Sequence, residues 1–156
     1  MMKNEFELLL RLAVAAVLGA LIGIEREKRD KAAGIRTNLV VSVTSCLIMI
    51  TSVRLATDLK STEAYADAAR IAAQAVSGIG FLGAGTIIKH RNKIEGLTTA
   101  ASLWAVAGIG LAVGMGYYII ALFTTLIILS SLIFLKSFYT LFPPKKERMS
   151  WKENQD

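Results

Sequence analysis

The sequence is poor in the residues that most chemistry needs. One cysteine, Cys46, has no partner for an intrachain disulfide, and a buried apolar role is its expected place. The sole histidine, His90, stands in a basic loop with no nucleophile held beside it, so an enzyme is not expected. Two carboxylates, Glu25 and Asp67, lie close to apolar spans, but the topology argued below sets them at opposite faces of the membrane. They cannot build one metal cage, because hard divalent cations want several oxygens at one centre, and no metal or cofactor is expected. Glycines crowd residues 78–85, yet the run lacks the Gly-Lys-Ser/Thr ending of a phosphate loop. The only prolines, Pro143 and Pro144, end the last helix.

Apolar residues are abundant. They make up 54% of 156 residues, with a mean hydropathy of +0.52, too apolar for an ordinary soluble domain of this length. A bilayer core asks for roughly 20 apolar residues per helix. Five such stretches run at Phe6–Ile24, Asn38–Ala56, Ile71–Ile88, Leu97–Met115 and Tyr117–Leu135. The fold class expected is an all-α integral membrane protein of about five transmembrane helices, with the bilayer as its solvent. Residues 1–142 form the membrane domain and 143–156 a basic tail.

The net charge of +6 does not point to nucleic acid, since the basic residues punctuate apolar spans instead of gathering on one face. With the N-terminus outside and the C-terminus cytoplasmic, three segments face the cytoplasm. The first carries Arg26, Lys28, Arg29, Lys31 and Arg36, the second Lys89, Arg91 and Lys93, and the tail Lys136, Lys145, Lys146, Arg148 and Lys152. That distribution obeys the positive-inside rule. A cleaved leader competes as the reading of the first span, but the basic Glu25–Lys31 segment directly after it suits an anchor's flank better. Three opposite-charge pairs at i,i+4 (Glu25 with Arg29, Arg26 with Asp30, Glu27 with Lys31) predict that this helix continues past the membrane until Gly34. A tight turn at Gly114–Gly116 joins the last two spans as an antiparallel hairpin.

Polar groups inside the spans are the candidates for function. Asp67, Arg70, Gln74 and Ser77 share one stripe of the third helix, at i, i+3, i+7 and i+10. Such charge is expensive in a membrane, so the stripe either lines a site or reaches the headgroups at its outer end. Below it stand Gly78, Gly80, Gly83 and Gly85, which either admit close helix contact or mark a broken helix around a cavity. A second-span stripe of Asn38, Ser42, Ser45 and Ser52 is expected to face that of the third. In the fourth span Thr98 or Thr99 is expected to cap the first turn, whose free amides suit an anion. Trp104 is expected to pack between helices. Gly19 with Gly23, and Gly110 with Gly114, are spaced for close helix packing within or between subunits.

These motifs resemble the MgtC/SapB family of bacterial inner-membrane proteins. The resemblance rests on Gly23-Ile24-Glu25-Arg26-Glu27 with Ala33-Gly34-Ile35-Arg36-Thr37, on Arg70 to Gln74 with Ser77 to Gly85, and on Gly96 to Trp104. It covers about Leu8 to Met115 and is closer to the short, SapB-like members, without the soluble C-terminal domain of MgtC. Ala68 stands after Asp67 where the family commonly has proline. The resemblance implies a multi-pass inner-membrane protein connected with growth in low magnesium, survival in a host and, for MgtC, restraint of the F-type ATP synthase. Matching positions include Glu25, Arg26, Arg36, Asp67, Arg70, Gln74, Thr98, Thr99 and Trp104. The leading expectation is a non-enzymatic protein of cation or membrane-energy homeostasis, acting through membrane contacts as a homo-oligomer, with a dimer favoured. The alternative is a transporter or channel that uses Asp67, Arg70 and Gln74 for a small ion or solute.

Overall fold

The computed structural model describes residues 2–59, 62–90 and 93–141, with side chains over 5–59, 63–90 and 93–134. Five helices follow in chain order: α1 (Met2–Glu27), α2 (Ile35–Leu59), α3 (Thr62–Gly85), α4 (Leu97–Gly114) and α5 (Tyr118–Leu141). A small antiparallel hairpin of β1 (Ile88–His90) and β2 (Lys93–Glu95) lies between α3 and α4. The expected basic tail at 143–156 is outside the described residues.

Three of the helices, over Glu5–Glu27, Ile35–Leu59 and Leu97–Gly114, are long and apolar enough to cross a membrane. The side-chain-described part of α5, Tyr118–Phe134, is a shorter apolar helix, and α3 is not among the three. Its first turns carry Glu63, Asp67 and Arg70. The segment of about residues 57–69, expected from its mixed charges to be a short connector or a surface helix, is largely helix: α2 runs on to Leu59 and α3 starts at Thr62.

α4 is apolar on every face and sits at the centre, touching the other four helices. Leu103, Val106, Ala107, Ile109 and Val113 from α4 meet Ala15, Leu18 and Ile22 of α1, Val41, Cys46 and Ile50 of α2, and Ala121 of α5. Cys46 is buried and free, as expected.

Glycine sets the distances in this core. A Cβ on Gly19 of α1 would stand 2.6 Å from Ser42 Cβ and 2.8 Å from the Asn38 carbonyl oxygen. On Gly23 it would meet Ile35 Cα at 2.6 Å. Across the other side of α2, a Cβ on Gly110 would collide with the Ser42 carbonyl, and one on Gly114 would lie 2.7 Å from the Cys46 carbonyl oxygen. The packing role expected of these four glycines is therefore seen within one chain. α2 is wedged between α1 and α4 at backbone contact, and the Ser42 hydroxyl donates to the Ala15 carbonyl at 2.7 Å.

Two further glycines are needed for their conformation. Gly116 (φ 86) closes the turn to α5: its N–H donates to the Val113 carbonyl and that of Tyr117 to Ala112, both at 2.9 Å, as in a Schellman motif. The expected tight α4–α5 turn is thus present. Gly96 (φ 89) leads β2 into α4 against the Thr86 backbone, where any side chain would collide. Because Gly96 holds the cap position, Thr98 and Thr99 fall inside the first turn, and no side chain caps α4. The expected threonine cap is corrected accordingly.

α1 stops at Glu27, short of Gly34, because the chain turns through Asp30 at φ 52. Of the three predicted i,i+4 pairs, Glu25 with Arg29 forms. Glu27 is used differently, accepting the Ile35 N–H at 2.8 Å and so starting α2 with a carboxylate at its positive end.

The glycine contacts yield a paired prediction. Gly110→Ala should lower the stability of the detergent-solubilised protein by about 1–3 kcal/mol through overpacking against α2. Gly108, in the same helix, has nothing within 4 Å of where a Cβ would stand. Gly108→Ala should be neutral or slightly stabilising, by up to about 1 kcal/mol from helix propensity. Thermal unfolding of the two variants checks the contrast.

Candidate functional site

Two groups of polar residues stand out, one buried and one exposed. The buried group gathers where α1 leaves the apolar zone. Glu25 is 8% exposed and Arg26 3%, although neighbours on a helix do not normally face each other. The two side chains nonetheless meet: Arg26 Nε donates to Glu25 Oε2 at 2.6 Å, and Arg29 Nε stands 2.5 Å from Glu25 Oε1. One carboxylate thus serves two guanidinium groups. Burying such charges is costly, and each is tolerated only because the other is there.

Asn38 lies nearby in sequence terms, at the start of α2, fully buried, with its amide nitrogen donating to the carbonyls of Ala33 at 2.9 Å and Gly34 at 2.8 Å. It closes the 28–34 connection onto α2. Arg36 and Thr98, expected to join Glu25, Arg26 and Thr99 in one cytoplasmic-side motif, are exposed, whereas Thr99 is buried and its carbonyl accepts the Ser102 hydroxyl at 2.8 Å. The motif is therefore divided: Glu25 and Arg26 form a charged cluster, and Thr99 serves the core of α4.

The opposite end of the bundle holds a group whose role sequence reasoning missed. Arg11 Nη1 donates to the Gly114 carbonyl at 2.7 Å, and Nη2 pairs with Glu7 at 2.5 Å. A cation here satisfies an orphan carbonyl at the negative end of α4. The signal was present: a lone arginine inside an apolar run, four residues after a glutamate.

The second group is the α3 stripe. Asp67 and Arg70 pair at 3.3 Å, with side chains 63% and 81% exposed, and Gln74 and Ser77 are exposed as well. The Ser77 hydroxyl turns back to the Ala73 carbonyl at 3.1 Å. Gly78, Gly80 and Gly85 have nothing within 4 Å of a notional Cβ, and Phe81 beside them is 81% exposed. Gly83 alone packs, against Ala100 of α4 at 3.5 Å.

Two expectations are corrected here, and the choice left open for the α3 glycines is decided. α3 is continuous through its glycines and not broken, as suits a medium that offers the backbone no substitute partners. The α2 stripe does not face that of α3: Ser42 bonds to α1 and Ser45 lies against Gly110, and only Ser52 reaches α3, donating to the Ala68 carbonyl at 2.7 Å. Trp104 does not pack between helices; it is 58% exposed on a face of α4 turned away from the core.

The hairpin adds an exposed ion pair, Lys93 with Glu95 at 2.7 Å, in which hydrogen bonding raises the lysine above its ordinary pKa and lowers the carboxylate. Among the described residues no three His, Cys, Asp or Glu side chains converge on a point where a metal ion could sit.

Long apolar helices packed through glycine, with charges neutralised in pairs, define a multi-helix membrane protein. The MgtC family model matches residues 12–141, and the chain belongs to that family. It is 43% identical over 131 residues to Protein SapB of Bacillus subtilis, covering 83% of this chain and 56% of that protein. To Protein MgtC of Salmonella typhimurium it is 44% identical, covering 84% and 53%. To a protein of Escherichia coli named putative magnesium transporter YhiD it is 44% identical over 113 residues, covering 72% and 53%. The chain thus spans about half the length of these relatives, SapB as much as MgtC. No solved structure matches.

The buried cluster can be tested directly. Arg26→Ala should destabilise the protein by about 3–5 kcal/mol, since it strips a buried carboxylate of its main partner. Arg36→Ala, at an exposed position, should stay within about 0.5 kcal/mol. Thermal midpoints in a common detergent distinguish the two.

Proposed function

We propose that this protein is a non-enzymatic, MgtC/SapB-like component of the bacterial inner membrane that serves magnesium or membrane-energy homeostasis through protein contacts made by the open face of α3. The observation that carries the reading is that face. Gly78, Gly80 and Gly85 leave it smooth, Phe81 projects from it, and Asp67, Arg70 and Gln74 give it polar groups that a lipid tail would not satisfy. Small residues beside exposed polar ones are what a second membrane helix needs in order to dock.

A second copy of the chain is the first candidate, since Asp67 and Arg70 are self-complementary across a two-fold axis and a dimer is the simplest closed assembly. The F-type ATP synthase, implied by the family resemblance, is the other partner considered. Five crossings with the N-terminus outside and the C-terminus cytoplasmic remain the orientation that best suits the basic segments.

The transporter reading has one specific support, the name borne by the Escherichia coli relative. It would need the stripe to line a path. In the single chain the stripe faces outward, so a second α3 would have to complete the path. Arg70 suits an anion or a proton-coupled solute better than direct passage of magnesium.

Gly80→Leu separates these readings from simple misfolding, because the added side chain meets open space in the folded chain. It should leave monomer stability within about 0.5 kcal/mol while abolishing association and the growth advantage in low magnesium. Normal association and growth would contradict the contact reading. Asp67→Asn and Arg70→Gln should leave solute flux in proteoliposomes unchanged; loss of flux in both would establish the transporter instead.

A further inference from the structure

Between α1 and α5, at the end where α1 finishes, the packing leaves a cleft of about 320 Å³. Its walls are apolar: Leu21 and Ile24 come from α1, Leu129 and Ile133 from α5. Its rim is basic, formed by Lys28 and Arg29. The wall residues are open, with Leu21, Ile24 and Ile133 at 42%, 37% and 46% exposure.

The charges at the rim do not cancel. Glu25, which also borders the cleft, is the one carboxylate of its lining against two cations, Lys28 and Arg29, and is already shared with the buried Arg26. Glu27 is turned away to the Ile35 N–H. Lys28 is exposed and follows directly on the last turn of α1, at the depth where an apolar helix surface gives way to a charged one.

We propose that this cleft holds one anionic phospholipid, with an acyl chain lying between α1 and α5 and the phosphate at Lys28 and Arg29. Water would fill an apolar cleft poorly, and a zwitterionic lipid would leave the surplus positive charge unanswered. Basic pockets between membrane helices at the interface are suited to acidic headgroups, and a guanidinium beside an ammonium gives a phosphate both directed hydrogen bonds and charge. The buried Glu25–Arg26 pair then has a second consequence: it fixes Glu25 so that Arg29 is held over the mouth of the cleft. The proposal needs only that the chain is embedded in a bilayer, and is independent of how α3 is used.

Native mass spectrometry of the purified full chain, titrated with phosphatidylglycerol or with phosphatidylcholine of the same acyl chains, tests it. The expected result is retention of one phosphatidylglycerol about tenfold or more over phosphatidylcholine, on two basic groups each contributing about fivefold. Lys28→Gln should reduce that retention about fivefold. Ile133→Trp, which fills the cleft from an exposed position, should abolish it without altering the headgroup site. Lys31→Gln, in the same basic segment but outside the cleft, should stay within about twofold. Equal retention of the two lipids, or equal losses for Lys28→Gln and Lys31→Gln, would overturn the proposal. A change of oligomeric mass in Ile133→Trp with lipid retention unaltered would assign the cleft to a protein helix and overturn it equally.

Discussion

The backbone contact of α2 with α1 on one side and α4 on the other is the constraint from which the rest of the bundle follows. At that distance only glycine can stand opposite Ser42 and Cys46, and it does so at Gly19, Gly110 and Gly114. In a bilayer no water is expelled to drive helices together, so close dispersion contact and short interhelical hydrogen bonds must do so. The Ser42 to Ala15 bond belongs to that second kind. With α1, α2 and α4 locked as a trio, α3 and α5 are left to pack around them. Each retains a large uncovered face, and the features of functional interest lie on those faces.

Charge is managed by the same economy of space. Arg11 is spent on an orphan carbonyl of α4. Glu25 and Arg26 neutralise each other where α1 emerges. Asp67 and Arg70 differ, since their pair is exposed and long at 3.3 Å, leaving both groups capacity for further partners.

Much of this was legible in the sequence, for identifiable reasons. Apolar length revealed the helices, and four-residue spacing singled out the glycines that pack at 19, 23, 110 and 114. Position on a stripe was legible too, but not the neighbour that covers it. Helical spacing orients Asp67 and Gln74 relative to one another and says nothing of whether α2 or open surface lies beyond. The same limit explains Gly78, Gly80 and Gly85 of α3, which look like the packing glycines of α4 in composition and meet empty space instead. The first turns of α3 lie outside the apolar span read at Ile71–Ile88, because hydropathy discounts turns carrying Glu63, Asp67 and Arg70, although charge does not prevent a helix. The hairpin at 88–95 escaped notice since two strands of three residues are too short to show a period. The threonine cap failed by two residues, because Gly96, needed for its left-handed backbone, already held that place.

The central claim is that the open face of α3 meets protein within the membrane. Photo-cross-linking in native membranes from a benzoyl-phenylalanine placed at Phe81 tests it most directly, with the same probe at Ile119, 75% exposed on α5, as the comparison. The account predicts a discrete protein adduct from position 81 and none from position 119. Only lipid adducts from position 81, or the same protein adducts from both positions, would contradict it.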